Sequence, residues 1–121
     1  MARVLLIDDE EYIRMTLTQA LEDDGHEVLV AINGQDGINR YKLEKPDLVV
    51  TDVLMPEKEG IETVLELRKL DPKAKIIVMS GGGRINNLDF LEVARKFGAS
   101  AALRKPFPID EFSRAVKECL G

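Results

Sequence analysis

Residues 3–10 read RVLLIDDE, and this stretch decides the fold class because an aliphatic run leads directly into two aspartates. A nearly continuous aliphatic run is typical of a strand that is covered on both faces of a parallel sheet. Further runs of this kind occur at residues 28–31, 48–50, 76–79 and, more weakly, 101–103. We therefore expect five strands, the first of which ends at an acidic pair.

The intervals between these runs carry the periodicity of amphipathic helices. In the first interval Ile13, Leu17 and Leu21 form an apolar stripe, and Gly25 follows as a left-handed cap. Four more helices are predicted from Ile38 and Tyr41; Ile61, Val64 and Leu65; Leu88, Leu91, Ala94 and Phe97, closed by Gly98; and Ile109, Phe112, Val116 and Leu120, entered through Pro108. Five alternations predict an α/β fold, a doubly wound (βα)5 unit over residues 1–121 as one domain.

Composition and charge narrow the classes of function. The chain has 121 residues, of which 45% are hydrophobic and 32% charged, as in an ordinary globular domain. No apolar run approaches the roughly 20 residues of a membrane span, and Asp8 comes too early for a signal peptide. The first 60 residues hold 14 acidic and 6 basic side chains, which argues against binding to a nucleic-acid backbone. With a single cysteine, Cys119, we expect a cytoplasmic protein that contacts neither membrane nor nucleic acid directly.

Polar side chains follow four of the predicted strands. They are Asp8 and Asp9 after the first, Asp52 after the third, Ser80 after the fourth and Lys105 after the fifth. The carboxyl ends of parallel strands meet at one sheet edge, where open α/β sheets bind ligands. Clustered carboxylates repel one another, and a hard divalent cation such as Mg²⁺ relieves the repulsion. One carboxylate could then attack phosphorus, with Lys105 and Ser80 contacting the phosphoryl oxygens.

The same residues carry a resemblance to a known family. Asp8-Asp9, Asp52 followed by Met55-Pro56, Ser80-Gly81 and Lys105-Pro106-Phe107 stand in the order and spacing of the receiver domain of bacterial two-component response regulators, which the whole chain resembles. The resemblance implies a CheY-like, flavodoxin-like fold whose five-stranded parallel sheet has the order 2-1-3-4-5.

The resemblance also implies roles for individual residues. Asp52 is expected to accept a phosphoryl group from the phosphohistidine of a histidine kinase or histidine phosphotransfer protein. Mg²⁺ or Mn²⁺ is expected to bind Asp9, Asp52 and the backbone carbonyl of Leu54 directly, and Asp8 through water. Lys105 and Ser80 are expected to contact the phosphoryl group, and the Lys105–Pro106 peptide is cis in this family. Such a domain catalyses its own phosphorylation and dephosphorylation but is not an enzyme acting on an outside substrate.

The resemblance further implies a switch, and here the sequence departs from the family. On phosphorylation, receivers change a face made by the fourth helix, fifth strand and fifth helix. This face is expected to contact a downstream protein partner or an output domain missing from this chain. The protein is expected to be a monomer or a phosphorylation-dependent dimer. The aromatic residue usual on the fifth strand is replaced by Ala102, and Gly81–Gly83 follow Ser80. In receivers, the side chains two residues after the phosphoacceptor and two after the hydroxyl residue influence hydrolysis of the phosphoryl group. Here these residues are Leu54 and Gly82, which cannot orient an attacking water, so slow to moderate dephosphorylation is predicted. Phe90 and Val93 are candidates for a partner-binding face.

Other functions remain open on sequence alone. A flavodoxin-like domain that binds a small ligand shares the architecture, although the acidic residues 8–11 would repel a phosphate that lacks a metal. A hydrolase acting through an aspartyl phosphate usually has a second acid at the position of Leu54. A degenerate receiver used as a phosphorylation-independent binding module is the third alternative.

Overall fold

The protein is described by a computed structural model that covers residues 2–52, 59–80, 84–85, 88–89, 95–96 and 98–121, with the backbone alone for residues 59–60, 84–85 and 88–89. Its strands are β1 (Arg3–Ile7), β2 (Glu27–Ala31), β3 (Leu48–Asp52), β4 (Ile76–Ser80), β5 (Arg84–Ile85), β6 (Leu88–Asp89) and β7 (Ala101–Arg104). The helices are α1 (Glu11–Asp23), α2 (Gly34–Glu44), α3 (Glu59–Leu70) and α4 (Ile109–Leu120). The last predicted helix thus corresponds to α4.

Five strands form one sheet in the order β2-β1-β3-β4-β7, and every pairing in it is parallel. Because β7 is the fifth strand of this sheet, the predicted order 2-1-3-4-5 is confirmed. β1 lies between β2 and β3, so the chain reverses its direction of winding at β1. In a doubly wound sheet this reversal opens a crevice beyond the carboxyl ends of the strands.

Burial follows the position of each strand in the sheet. β1, from Val4 onward, and all of β3 and β4 are buried, as predicted for strands covered on both faces. The prediction was wrong for β2, where Val30 is 39% exposed. β2 is an edge strand with a neighbour on one side only. An aliphatic run therefore does not by itself distinguish an edge strand from a central one.

Helices cover the sheet on both sides and give the molecule two apolar layers. Along β1 the side chains alternate: Leu5 and Ile7 join the cluster beneath α2 and α3, whereas Val4 and Leu6 join the cluster beneath α1 and α4. The approach of α2 is close at Gly37, where a Cβ atom would lie 2.3 Å from Ile7 Cδ1. This contact requires glycine and fixes α2 against the strand that leads into the acidic pair.

The segment after β4 differs from the prediction. Leu88 was predicted in a helix, but it lies in β6, which pairs with β5 in an antiparallel ladder that matches Arg84 with Asp89. Residues 86–87, between these strands, lie outside the described residues. Residues 95–96 are helical. The other predicted positions of this helix, Leu91, Ala94 and Phe97, lie outside the described residues, as do Phe90 and Val93.

Two smaller predictions were also off. Leu65 was placed on the buried stripe of α3 but is 39% exposed, and Leu67 is buried instead. Pro108 was expected in the first turn of the last helix, but it is the N-cap, and the helix begins at Ile109. Cys119 packs against the cluster beneath α1 and α4, as expected, and burial raises the pKa of its thiol.

Arg68, on α3, holds the two segments of chain that lead into β4 and β7. Its guanidinium donates hydrogen bonds to the carbonyls of Pro72 and Ala74, just before β4, and of Gly98, just before β7. Gly98 has a φ of 104°, and a Cβ atom there would lie 2.7 Å from Arg68 Nε. Glycine is therefore needed both for the backbone conformation and for the close approach of the arginine.

The length and polarity of the helices decide whether any of them could span a membrane. Among the residues that the structure describes, no helix is both long enough and apolar enough to cross a bilayer.

Candidate functional site

The sheet register brings the predicted site residues to one edge. Asp52 is the last residue of β3, Ser80 is the last of β4, and both are buried. Asp8 follows β1 directly and is fully buried, while Asp9 beside it is exposed. Lys105 follows β7, in which Arg104 pairs with Ser80. Because the strands are parallel and in register, residues far apart in the chain gather at their carboxyl ends.

Lys105 lies between two of the carboxylates. Its Nζ atom donates hydrogen bonds to Asp8 Oδ2 at 3.1 Å and to Asp52 Oδ2 at 3.0 Å, and only 14% of its side chain is exposed. Burial lowers the pKa of Lys105, but the charges and hydrogen bonds of Asp52 and Asp8 outweigh it and hold the pKa above its usual value. The lysine is therefore a fixed positive charge at the centre of the site.

Asp8 is held on every side. Its amide donates to the carbonyl of Ala31 at 3.1 Å, and its Oδ1 atom accepts the Glu10 amide at 2.8 Å. Its backbone carbonyl accepts a hydrogen bond from Arg14 Nη1, also at 2.8 Å. Burial raises the pKa of Asp8 above its usual value, against the lowering effect of the Glu10 amide and of Lys105. Ionisation of Asp8 is thus less favourable in the folded protein than in water, and additional positive charge beside it would offset this cost.

The arrangement suits a hard cation. Asp8, Asp9, Glu10 and Asp52 each offer a carboxylate oxygen, and these oxygens all lie within 4.8 Å of one another. Carboxylate oxygens are the ligands that Mg²⁺ and Mn²⁺ prefer, so the chemistry of the donor set fits either ion. Glu10 was missed by the sequence reasoning. Its position directly after Asp8-Asp9 was the signal in the sequence that could have identified it as a site residue. In the structure, its Oε1 atom lies 3.9 Å from Lys105 Nζ.

The remaining predicted residues are partly within the described structure. The Lys105 amide donates to the carbonyl of Ser80 at 2.7 Å, which joins the ends of β4 and β7. The Lys105–Pro106 peptide is cis, so that prediction is confirmed. Leu54, predicted to supply a backbone carbonyl to the cation, lies outside the described residues, and so do Gly81–Gly83.

Ala102 lies on β7, opposite Val78 of β4, and packs against the cluster beneath α2 and α3. It is partly buried and brings no ring to this position. How this chain couples its site to a surface therefore stays a prediction.

The fold and the geometry of the site together define a class of protein. A doubly wound parallel sheet holds a cluster of carboxylates and a lysine at the carboxyl ends of its strands. The model of the response regulator receiver domain family matches residues 4–117. The chain belongs to this family, and it is CheY-like.

Known relatives agree in sequence and in structure. The chain is 42% identical to the chemotaxis protein CheY of Thermotoga maritima over 87% of its own length and 86% of that protein. It is 32% identical to sporulation initiation phosphotransferase F of Bacillus subtilis, over 98% of this chain and 93% of the relative. A crystal structure of a response regulator receiver domain protein from Clostridium thermocellum superimposes with a TM-score of 0.89 at 33% identity, covering 99% of this chain and 94% of the other.

Proposed function

We propose that the protein is a phosphoryl-accepting signalling domain that carries the phosphoryl group on Asp52. The observation that carries the proposal is the contact of Lys105 Nζ with Asp52 Oδ2 at 3.0 Å, inside a cluster of carboxylates fit for a divalent cation. A carboxylate beside a fixed ammonium group is suited to receive an anionic group, because part of the added charge is already balanced. Membership in the receiver family supports the same assignment.

The proposed reaction uses the side chains at this edge and the phosphohistidine donor that the receiver family implies. An Asp52 oxygen attacks phosphorus, and the new O–P bond forms as the P–N bond of the donor phosphohistidine breaks. The bonding pair stays on the ring nitrogen, and the donor leaves as a neutral imidazole because its other nitrogen already carries a proton. Lys105 balances charge on the phosphoryl oxygens, and the Ser80 hydroxyl donates a hydrogen bond to one of them. As the resemblance to the family implies, Mg²⁺ or Mn²⁺ would be held by Asp9, Asp52 and the backbone carbonyl of Leu54, and by Asp8 through water, and would supply charge neutralisation and alignment. Positioning and electrostatics account for most of the rate.

The partners follow from the donor chemistry. A phosphohistidine is presented by a histidine kinase or a histidine phosphotransfer protein, and the signal passes to a downstream protein partner or to an output domain. One relative is named a phosphotransferase, which supports a role as a carrier of phosphoryl groups between proteins. The protein then catalyses its own phosphorylation and dephosphorylation and turns over no outside substrate.

The proposal is tested with acetyl phosphate as donor and intact mass as the readout. Wild-type protein is expected to gain one phosphoryl group with Mg²⁺ and none with a chelator. Asp52→Asn removes the nucleophile and is expected to abolish the adduct. Asp110→Asn, which neutralises an exposed aspartate in the first turn of α4, is the matched control and is expected to behave like wild type.

Two results would contradict the proposal. An adduct that persists unchanged in Asp52→Asn would move the phosphoryl group to another residue. No adduct on wild type with acetyl phosphate, or with a panel of phosphorylated histidine kinases, would favour a receiver that binds partners without phosphorylation.

A further inference from the structure

We propose that Arg14 is a positioning residue for the cation, because it holds the Asp8–Asp9 peptide in the orientation that presents the Asp9 carboxylate to the site. The inference rests on the proposed function, since it concerns the same cation. Arg14 contacts no reacting group; it acts through the backbone of its neighbours.

The first support is the position of the carbonyl that Arg14 contacts. In the β1 ladders the last paired residue is Ile7, opposite Ala31 on one side and Thr51 on the other. The carbonyl of Asp8 therefore lies just past the sheet, in a residue that is fully buried. A buried carbonyl needs a hydrogen-bond donor. Arg14, in the first part of α1, is that donor, and its Nη1 atom lies 2.8 Å from the carbonyl oxygen.

The second support is that the backbone is held on both sides of Asp9. Before Asp9, the carbonyl of Asp8 is fixed by Arg14. After Asp9, the amide of Glu10 is fixed by Asp8 Oδ1 at 2.8 Å. Asp9 is exposed, so these two anchors, rather than packing, set the direction in which its Cα–Cβ bond leaves the backbone. Groups that orient metal ligands in this way typically change metal affinity by about 10–100-fold when removed.

The charge of Arg14 makes the proposal easy to separate from a simple electrostatic effect. A guanidinium near the carboxylates repels a divalent cation, so its removal alone should tighten cation binding. Loss of positioning should weaken cation binding instead. The two explanations therefore predict changes of opposite sign.

The experiment measures Mn²⁺ binding to the unphosphorylated protein by the electron paramagnetic resonance signal of free Mn²⁺. Arg14→Met keeps the aliphatic length but removes every donor, and the Kd for Mn²⁺ is expected to rise about tenfold. Arg14→Lys restores a donor and the charge and is expected to bind Mn²⁺ within about threefold of wild type.

Arg3→Met is the matched control. Arg3 also donates to a backbone carbonyl, that of Glu44 at 3.2 Å, but it begins β1 at the opposite end. Its removal changes the net charge by the same amount about 16 Å away along the strand. We expect Arg3→Met to bind Mn²⁺ like wild type.

The possible outcomes separate the two proposals. Mn²⁺ binding by Arg14→Met that equals or exceeds wild type overturns the positioning role and leaves the proposed function intact. A wild type that binds no divalent cation overturns the proposed function itself. Thermal unfolding without metal checks folding; if Arg14→Met does not fold cooperatively, Arg14→Gln, which also removes the charge and the reach, must show the same weakening or the inference fails.

Discussion

The two ends of β1 carry ion pairs in different surroundings. At the amino end, Arg3 Nε lies 2.6 Å from Glu27 Oε1, and the two side chains are 42% and 55% exposed. At the carboxyl end, Lys105 Nζ lies 3.1 Å from Asp8 Oδ2, whose side chain is fully buried, and a second carboxylate, Asp52, is equally close. The exposed pair is screened by water, whereas the buried group cannot be rearranged without leaving charge uncompensated.

This difference shows that electrostatic interactions are stronger at the carboxyl end of β1 than at its amino end, because water screens the exposed pair. At the amino end the charged side chains are open to solvent. The carboxyl end concentrates carboxylates around one ammonium group, so it is poised to take up positive charge. The predictions below test this contrast, in order of decreasing effect.

The largest effect is expected from removing the ammonium group. Lys105→Met leaves Asp8 and Asp52 facing each other without the positive charge between them, and we expect a loss of about 2 kcal/mol in the free energy of unfolding at pH 7, measured in urea without metal. Added Mg²⁺ is expected to recover part of this loss. Arg3→Met, at the exposed end, is expected to leave the urea midpoint almost unchanged. Equal losses in the two variants would show that burial does not separate the two ends.

A smaller effect is expected at Tyr41, which lies on α2 on the amino side of the sheet. Its hydroxyl donates to Asp71 Oδ2 at 3.0 Å. Tyr41→Phe is expected to lower the free energy of unfolding at pH 7 by about 1 kcal/mol. Tyr12→Phe, at a tyrosine that is 68% exposed, is the control and is expected to change little.

The pH dependence of the same hydroxyl sharpens the test. Burial, together with Asp71, raises the pKa of Tyr41 to about 12, above its usual value near 10. The folded protein therefore holds this proton more tightly than the unfolded chain, so the stabilisation is complete below pH 10 and is lost as the pH rises from 10 to about 12. Urea unfolding of Tyr41→Phe should lack that part of the alkaline decline. An identical decline in wild type and variant would contradict the assignment.

The smallest effect is expected at Asp8. Burial raises its pKa, so the folded protein binds this proton more tightly than the unfolded chain, and the resulting stabilisation is present at low pH and lost as the pH rises through the folded pKa. Asp8→Asn removes the buried charge and keeps an acceptor for the Glu10 amide. We expect a small gain in the urea midpoint at pH 7 without metal, which shrinks towards pH 4. A loss at pH 7 would show that Lys105 already balances Asp8 fully.

The sequence predicted most of the sheet and most of the site for one physical reason. Aliphatic runs such as residues 4–7 are sufficient to identify the strands of the sheet, although not their place in it, and parallel strands place their last residues at one edge. Asp52, Ser80 and Lys105 therefore gather without any knowledge of loops. The roles assigned to them came from the resemblance, and the experiments above test those roles.

The features that sequence reasoning missed depend on how loops and long side chains are directed. Glu10 joins the carboxylates because of the turn over Asp8, which periodicity does not report. Arg14 reaches back to a carbonyl six residues earlier, although its position on α1 predicts only a face of the helix. The antiparallel pairing of β5 and β6 was missed because Leu88 also fits a helical stripe.

The guanidinium of Arg68 has a mechanical consequence. It joins the residues that enter β4 and β7, and the Ser100 amide adds a hydrogen bond to the carbonyl of Ile76 at 2.7 Å. The amino ends of these two strands are therefore pinned to each other. A slide of β7 along β4 would break these hydrogen bonds, so we expect any relative movement at the end that carries Ser80 and Lys105 to be a rotation about the amino ends of the two strands.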